Sequence, residues 1–285
     1  MHTPVLLEHA LDELNIKPDG LYIDATAGEG GHLKKILEKG GRVLGLDWDE
    51  NQIKNIKTKI TNDKMMLEVG SFGDIESLAK KNEFAPVDGV LFDFGLSMKQ
   101  IRESGRGFSY NNLEEPLDMR ISVQTELTAS EIINSYSAQE LYETFSRYAE
   151  EFHSVSIAQS IVRARAIKPI ETVGSLLSAI DEAIKTCTMS HRHGRDIYAT
   201  VFQALRIVVN EEFDQIKKGL EGAKNILKPD GRIVTITFHS LEDRIVKRYV
   251  ESQSDITFLK KHVIKGDFSK SFERSAKLRV IVKKI

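Results

Sequence analysis

Leu21-Tyr-Ile-Asp24-Ala-Thr-Ala-Gly28-Glu-Gly30-Gly31-His32 is the stretch on which the fold turns. A short apolar run ends in a glycine-rich turn, and a helical pattern, His32–Glu38, follows at once. Glycines in such a turn let the backbone approach a ligand closely and leave the first N–H groups of the next helix free. Outward from here the same alternation repeats. Arg42–Asp47 reads as a second strand, and Asp49–Ile60 as a helix opening on acidic residues, as a helix N-terminus prefers. Met65–Gly70 and Val87–Gly95 continue the series. Near-continuous apolar strands separated by helices imply a parallel sheet covered on both faces. Right-handed crossovers then bring the loops after Ala25, Leu46 and Phe92 to one carboxyl edge, where such sheets bind ligands.

Beyond Ser97 the rhythm breaks. From about Met98 to Ile197 the chain shows a loop, Gly105–Pro116, and then helical patterns at Ala129–Asn134, Ala138–Arg147, Ser154–Ala166 and Thr172–Thr186. Alternation resumes with a long helical stretch, Ala199–Leu227, and the strand Gly231–Ser240 after a Pro-Asp-Gly turn. A helix, Leu241–Glu251, and two β-like runs, Ile256–Ile264 and Leu278–Ile285, complete the chain. The fold class is therefore α/β: a Rossmann-like domain from residues 1–105 and 198–285, interrupted by an all-helical insertion domain, 106–197.

With 285 residues, 41% hydrophobic and 29% charged, the chain is long enough for two cores. Charges, Pro or Gly interrupt every apolar run before it reaches membrane-spanning length. The first residues carry Glu8, Asp12 and Glu13 and no lysine or arginine, unlike a secretory leader, so a cytoplasmic, membrane-free protein is expected. A single cysteine, Cys187, closes no internal disulfide and builds no thiolate metal site, and no metal is expected. The net charge of −2 conceals an asymmetry, because from Lys260 onward nine Lys/Arg face only Asp267 and Glu273. Arg163–Lys168, His191–Arg195 and Arg244–Arg248 are also basic. Such patches fit either an anionic partner such as RNA or a solvated surface.

Asp47 ends the second strand 17 residues beyond Gly30, where an acid accepts hydrogen bonds from a ribose diol. The dinucleotide fingerprint requires glycine at position 33, which holds Leu33. Asp24 suits the sulfonium and amino group of S-adenosylmethionine (AdoMet) better than a pyrophosphate, so the loop favours a methyl donor over a nicotinamide cofactor. Asp93, at the end of strand four, either holds an amine or caps the following loop. Phe72 either flanks adenine or joins the core.

Together these blocks resemble the RsmH (MraW) family of small-subunit rRNA cytosine-N4 methyltransferases. The resemblance runs from His2-Thr-Pro4-Val-Leu-Leu7 through Gly30-Gly31-His32, Asp93-Phe-Gly-Leu-Ser97 with Gln100, and Arg106-Gly-Phe108-Ser-Tyr110 to Pro116-Leu-Asp118-Met-Arg120. It resumes at Phe202-Gln-Ala-Leu-Arg206, Phe238-His239-Ser240-Leu-Glu242-Asp243-Arg244 and Arg274-Ser-Ala-Lys277-Leu-Arg279. It implies a class I AdoMet-dependent methyltransferase domain with a helical substrate domain. The implied substrate is a cytidine in the decoding region of 16S rRNA, within the small ribosomal subunit. Donor contacts carry over to Gly30, Gly31, His32, Asp47, Phe72, Asp93 and Gln100, beside Asp24 and Gly28 of the loop. The chain departs from the family pattern at Met98 of Ser97-Met98-Lys99-Gln100, at Ala149, Phe152 and Thr200, and over Ser269–Glu273, most of these in the insertion or the basic tail rather than the cofactor loop.

Asp93, His239 and Glu242 are the catalytic candidates, with Asp93 accepting a hydrogen bond from the target amine and the other two positioning the base. Ser240 is expected to cap the helix that follows. Substrate candidates are Arg106, Phe108, Tyr110, Arg120, Arg206, Arg244, Lys277 and Arg279, with Phe108 and Tyr110 either stacking on a flipped base or anchoring the core. Carbon-5 methylation requires a thiolate, and the lone Cys187 lies away from every strand end, which favours nitrogen as the target. Alternatives are a non-catalytic AdoMet-binding assembly factor, a methyltransferase of another RNA, or one acting on a small molecule or protein. Oligomeric state stays open between monomer and homodimer.

Overall fold

The computed structural model describes residues 4–149, 151, 153–185, 194–260, 262–270 and 272–284. Helix α1 (Leu7–Leu14) precedes β1 (Leu21–Asp24), and α2 (Gly31–Glu38) leads to β2 (Arg42–Asp47). Helix α3 (Glu50–Lys59), capped by the Asp49 side chain, is followed by β3 (Met65–Val69). A 3₁₀ turn, Phe72–Asp74, enters α4 (Ile75–Lys81), and β4 (Val87–Asp93) closes the first half of the sheet. Six helices come next: α5 (Met98–Glu103), α6 (Ala129–Ser135), α7 (Ala138–Ala149), α8 (Ser154–Ile167), α9 (Val173–Lys185) and α10 (Gly194–Val209). The chain returns through α11 (Glu212–Ile226), β5 (Leu227–Thr237), α12 (Ser240–Glu251), β6 (Ile256–Phe258), β7 (Ile264–Lys265) and β8 (Lys277–Lys283).

The sheet order is β3-β2-β1-β4-β5-β8-β6, with β7 also paired to β8. β3, β2, β1, β4 and β5 are parallel, and β8 joins them antiparallel. Period-two alternation gives each strand two apolar faces. Ile23, Leu44, Phe92 and Ile233 pack with Leu220, Ile226 and Val246 on one face. Tyr22, Val43, Leu91 and Val234 pack with Leu11, Leu33 and Ile36 on the other. The chain divides into one compact unit of Met1–Leu96 and Phe213–Ile285, and a second of Ser97–Glu212. The second unit has a core of its own around Ile132, Leu141, Phe145, Ile161, Leu176, Ile180, Val201 and Leu205.

These unit boundaries differ from the limits 106–197 read from sequence, because α5 and all of α10 belong to the second unit. The long helical stretch Ala199–Leu227 is two helices. Between them Asn210, fully buried, accepts from the Ile121 N–H at 2.8 Å and donates to the carbonyls of Met119 (2.8 Å) and Arg206 (2.9 Å). Glu211 then turns at φ 49°, so a tertiary anchor overrides helix propensity. The Pro-Asp-Gly segment is a bulge inside β5 rather than a turn before it, since Val87 pairs with Leu227 and Gly89 with Arg232. Among the described residues no helix is long and apolar enough to cross a membrane.

Candidate active site

Four parallel strand ends of the first unit carry the site. Asp24, Asp47 and Asp93 end β1, β2 and β4, while His239 follows β5. Gly28 N–H donates to Asp47 Oδ2 at 2.8 Å, and the other carboxylate oxygen accepts the Asp49 N–H at 2.8 Å. Gly30 sits at φ 82° directly before α2, a conformation in which a side chain is strained. At Gly31 a Cβ would lie 2.2 Å from Pro4 Cγ, so the N-terminal segment presses directly on the glycine loop. His32 Nε2 donates to the Val5 carbonyl at 3.2 Å, and burial pulls its pKa down to about 4, leaving a neutral ring.

The carboxylates are held against their usual ionisation. Asp24 is buried and accepts the Thr26 N–H at 3.4 Å through Oδ1, and among the described residues Oδ2 has no hydrogen-bond partner. Burial, with a further push from Asp47, raises its pKa to about 7. Asp93 rises to about 7 through burial and the charges of Asp24 and Glu242. Asp47 rises to about 6, again chiefly by burial. The Asp93 backbone N–H donates to Thr26 Oγ1 at 2.7 Å, a tie between the first and fourth strand ends that sequence reading missed. Phe72 meets Phe92 edge-on at 6.0 Å and Phe94 at 5.5 Å, so its ring extends the core up to the edge.

The sequence profile of the MraW methylase family matches residues 1–285. The chain belongs to the MraW methylase family. A ribosomal RNA small subunit methyltransferase H from Dictyoglomus thermophilum is 41% identical, over 98% of this chain and 96% of that protein. Proteins of the same name from Symbiobacterium thermophilum (42%, covering 87% and 78%) and Acetivibrio thermocellus (44%, covering 86% and 80%) align similarly. The methyl donor of this MraW methylase is AdoMet. The site suits that donor: three clustered acids with raised pKa values and one orphaned buried oxygen are relieved by a cationic ligand.

At the fifth strand end the helix cap is His239, not Ser240. His239 Nδ1 accepts the Glu242 N–H at 3.4 Å, while Glu242 Oε2 accepts the N–H groups of Phe238 (2.7 Å) and His239 (3.3 Å). An imidazole nitrogen thus takes the role usually given to a hydroxyl. Its Nε2 lies 2.8 Å from Glu242 Oε1 but off the hydrogen-bond direction, and Glu242 is buried.

The remaining candidates have occupations inside the MraW methylase. Gln100, in the second unit, forms a capping box with Ser97 at the start of α5. Arg106 donates to the carbonyls of Arg120 and Ile121, both at 2.9 Å. Arg120 grips Asp118 with two bonds of 2.8 Å, and Arg206 grips Glu212 at 2.7 and 3.0 Å. Phe108 and Tyr110, both partly buried, pack on the second core, Tyr110 against Phe202 at 6.1 Å. Arg279 is bound at 2.6 and 3.1 Å to Asp243, which Lys277 approaches to 3.7 Å. Arg244 is exposed on α12. The carboxylates that hold Arg120, Arg206 and Arg279 are not apparent from sequence spacing alone. Cys187, His191, His193, His2 and Phe152 lie outside the described residues.

Proposed function

We propose that the protein methylates the exocyclic N4 of a cytidine in the decoding region of 16S rRNA, in the small ribosomal subunit. The names of relatives 41–44% identical support an rRNA substrate. Asp93 at the β4 end is the observation that carries the N4 assignment, since an amine target needs an acceptor there. When bound, AdoMet would supply a sulfonium methyl group, the N4–carbon bond forming in line as the carbon–sulfur bond breaks and the neutral thioether leaves.

Cytosine N4 is a poor nucleophile because its lone pair is delocalised into the ring. The chain must therefore supply alignment and a proton acceptor. Asp93 accepts the N4 hydrogen bond, and its pKa of about 7 suits it to take the departing proton near neutrality. The Gly95 N–H (3.4 Å to Asp93 Oδ1) holds that carboxylate, while Thr26 Oγ1, accepting the Asp93 backbone N–H, anchors the residue's main chain. His239, locked by Glu242, positions the base from the neighbouring strand end.

The test is transfer of labelled methyl to small subunits lacking the modification, followed by nucleoside analysis. N4-methylcytidine is expected. No incorporation, or 5-methylcytidine in the digest, overturns the reading. Asp93→Asn should lower kcat by about 10²- to 10⁴-fold, the usual range for removing a general base.

A further inference from the structure

The basic residues of β8 are engaged internally, but the loop preceding them is built differently. β7 and β8 pair Ile264 with Leu278 and Lys265 with Lys277, and the Gly266 N–H donates to the Ala276 carbonyl at 2.9 Å, closing the neck. Inside, buried Glu273 accepts the Leu6 N–H at 3.3 Å and the Asp267 N–H at 3.4 Å. A Cβ on Gly266 would lie 1.9 Å from the Glu273 carbonyl oxygen, so the loop packs on itself. Asp267 Oδ1 then accepts both the backbone N–H (2.9 Å) and the hydroxyl (2.7 Å) of Ser269, fixing the turn that carries Phe268.

That ring is 68% exposed on a turn braced by the Asp267–Ser269 hydrogen bonds. Lys265 and Arg274 are exposed at either side of the neck and have no ion-pair partner among the described residues. An exposed aromatic side chain on a braced turn, with exposed cations at the neck of the same loop, matches the chemistry of unpaired RNA, in which bases stack and phosphates seek positive charge.

We propose that Phe268, Lys265 and Arg274 form a docking site for unpaired rRNA, with the ring stacking on a base and the two cations meeting phosphates. The inference rests on the rRNA reading above and places an RNA contact outside the reaction site. Preorganisation by Glu273 and Asp267 lowers the ordering cost of binding.

The experiment compares full-length wild type, Phe268→Ala, Phe268→Trp and Lys265→Ala/Arg274→Ala on unmodified small subunits. Phe268→Ala should raise KM about tenfold with kcat and AdoMet affinity unchanged, which corresponds to about 1.4 kcal/mol of stacking energy, and Phe268→Trp should restore it. The double variant should reduce the slope of log affinity against log salt by about 0.7 for each phosphate no longer neutralised. A benzophenone amino acid at position 268 should crosslink to rRNA. If wild type methylates subunits but KM and salt slope stay within twofold, the docking site is refuted and the rRNA reading stands. If wild type fails to methylate, the rRNA reading itself falls. Crosslinking to a ribosomal protein, or loss of kcat at unchanged KM, also overturns the docking site. Should Phe268→Ala lose AdoMet affinity through misfolding, the salt slope of the double variant decides.

Discussion

Asp24 presents a buried carboxylate oxygen with no partner among the described residues, and burial raises the pKa of its neighbours Asp47 and Asp93 as it does its own. A raised folded-state pKa means that the folded protein holds protons which the unfolded chain releases. The stability these acids contribute is therefore present at low pH and lost as pH rises through about 6 to 7. His32, with its pKa lowered to about 4, acts in the opposite sense but only below its ordinary value of 6.5. Between pH 6.5 and 8 the ligand-free protein should thus lose thermal stability, and Asp24→Asn should flatten the loss. A cationic donor selects the deprotonated acids, so AdoMet affinity should fall about tenfold from pH 7.5 to 6 for one such carboxylate. Calorimetry at both pH values checks this, and pH-independent affinity would exclude the acids from donor binding. Asp47→Ala should weaken AdoMet by about 1.5–3 kcal/mol, because it removes a charged acceptor. It also releases the Gly28 and Asp49 N–H groups, so Asp47→Asn should cost less.

The elements around these acids show what local pattern conveys and what it cannot. The parallel strands and the glycine turn were legible because burial on both faces writes continuous apolar runs, and because Asp24, Asp47 and Asp93 each stand where a run stops. Helix α1 and the 3₁₀ turn Phe72–Asp74 escaped notice, being short segments without extended periodicity. The break at Asn210 was illegible because its partners are Met119 and Ile121, remote in sequence. The same remoteness hid the role of Arg279, whose partner Asp243 is 36 residues away. Because both basic residues meet Asp243, Lys277→Ala with Arg279→Ala should change stability rather than the salt dependence of RNA binding. With both partners of the Arg279–Asp243 pair only 12% and 11% exposed, Arg279→Ala should destabilise the fold by about 3 kcal/mol through the carboxylate left behind. A double-mutant cycle with Asp243→Ala, read by denaturant melts, checks it. Equal effects in the presence and absence of Asp243 would refute the pairing.

At the scale of the molecule, the division of labour follows from where the cores lie. Both apolar clusters of the sheet are built from residues preceding Leu96 or following Phe213, and the helical unit packs on residues between Leu117 and Val209. Among the described residues the clusters share no member, and each unit carries a core of its own. Among the proposed donor contacts only Gln100 lies in the helical unit, on α5, whereas Asp24, Gly28, Gly30, Gly31, His32, Asp47, Phe72 and Asp93 belong to the sheet. Replacing Ser97–Glu212 by a short flexible linker should therefore leave a sheet unit that melts cooperatively and binds AdoMet with reduced affinity. Methyl transfer to small subunits should be abolished, because the helical unit is then missing from substrate recognition. Calorimetry and the labelled-methyl assay measure the two functions separately. A folded sheet unit that still methylates subunits would show that the helices do not serve the substrate. A folded unit blind to AdoMet would show instead that the sheet residues alone do not hold the donor.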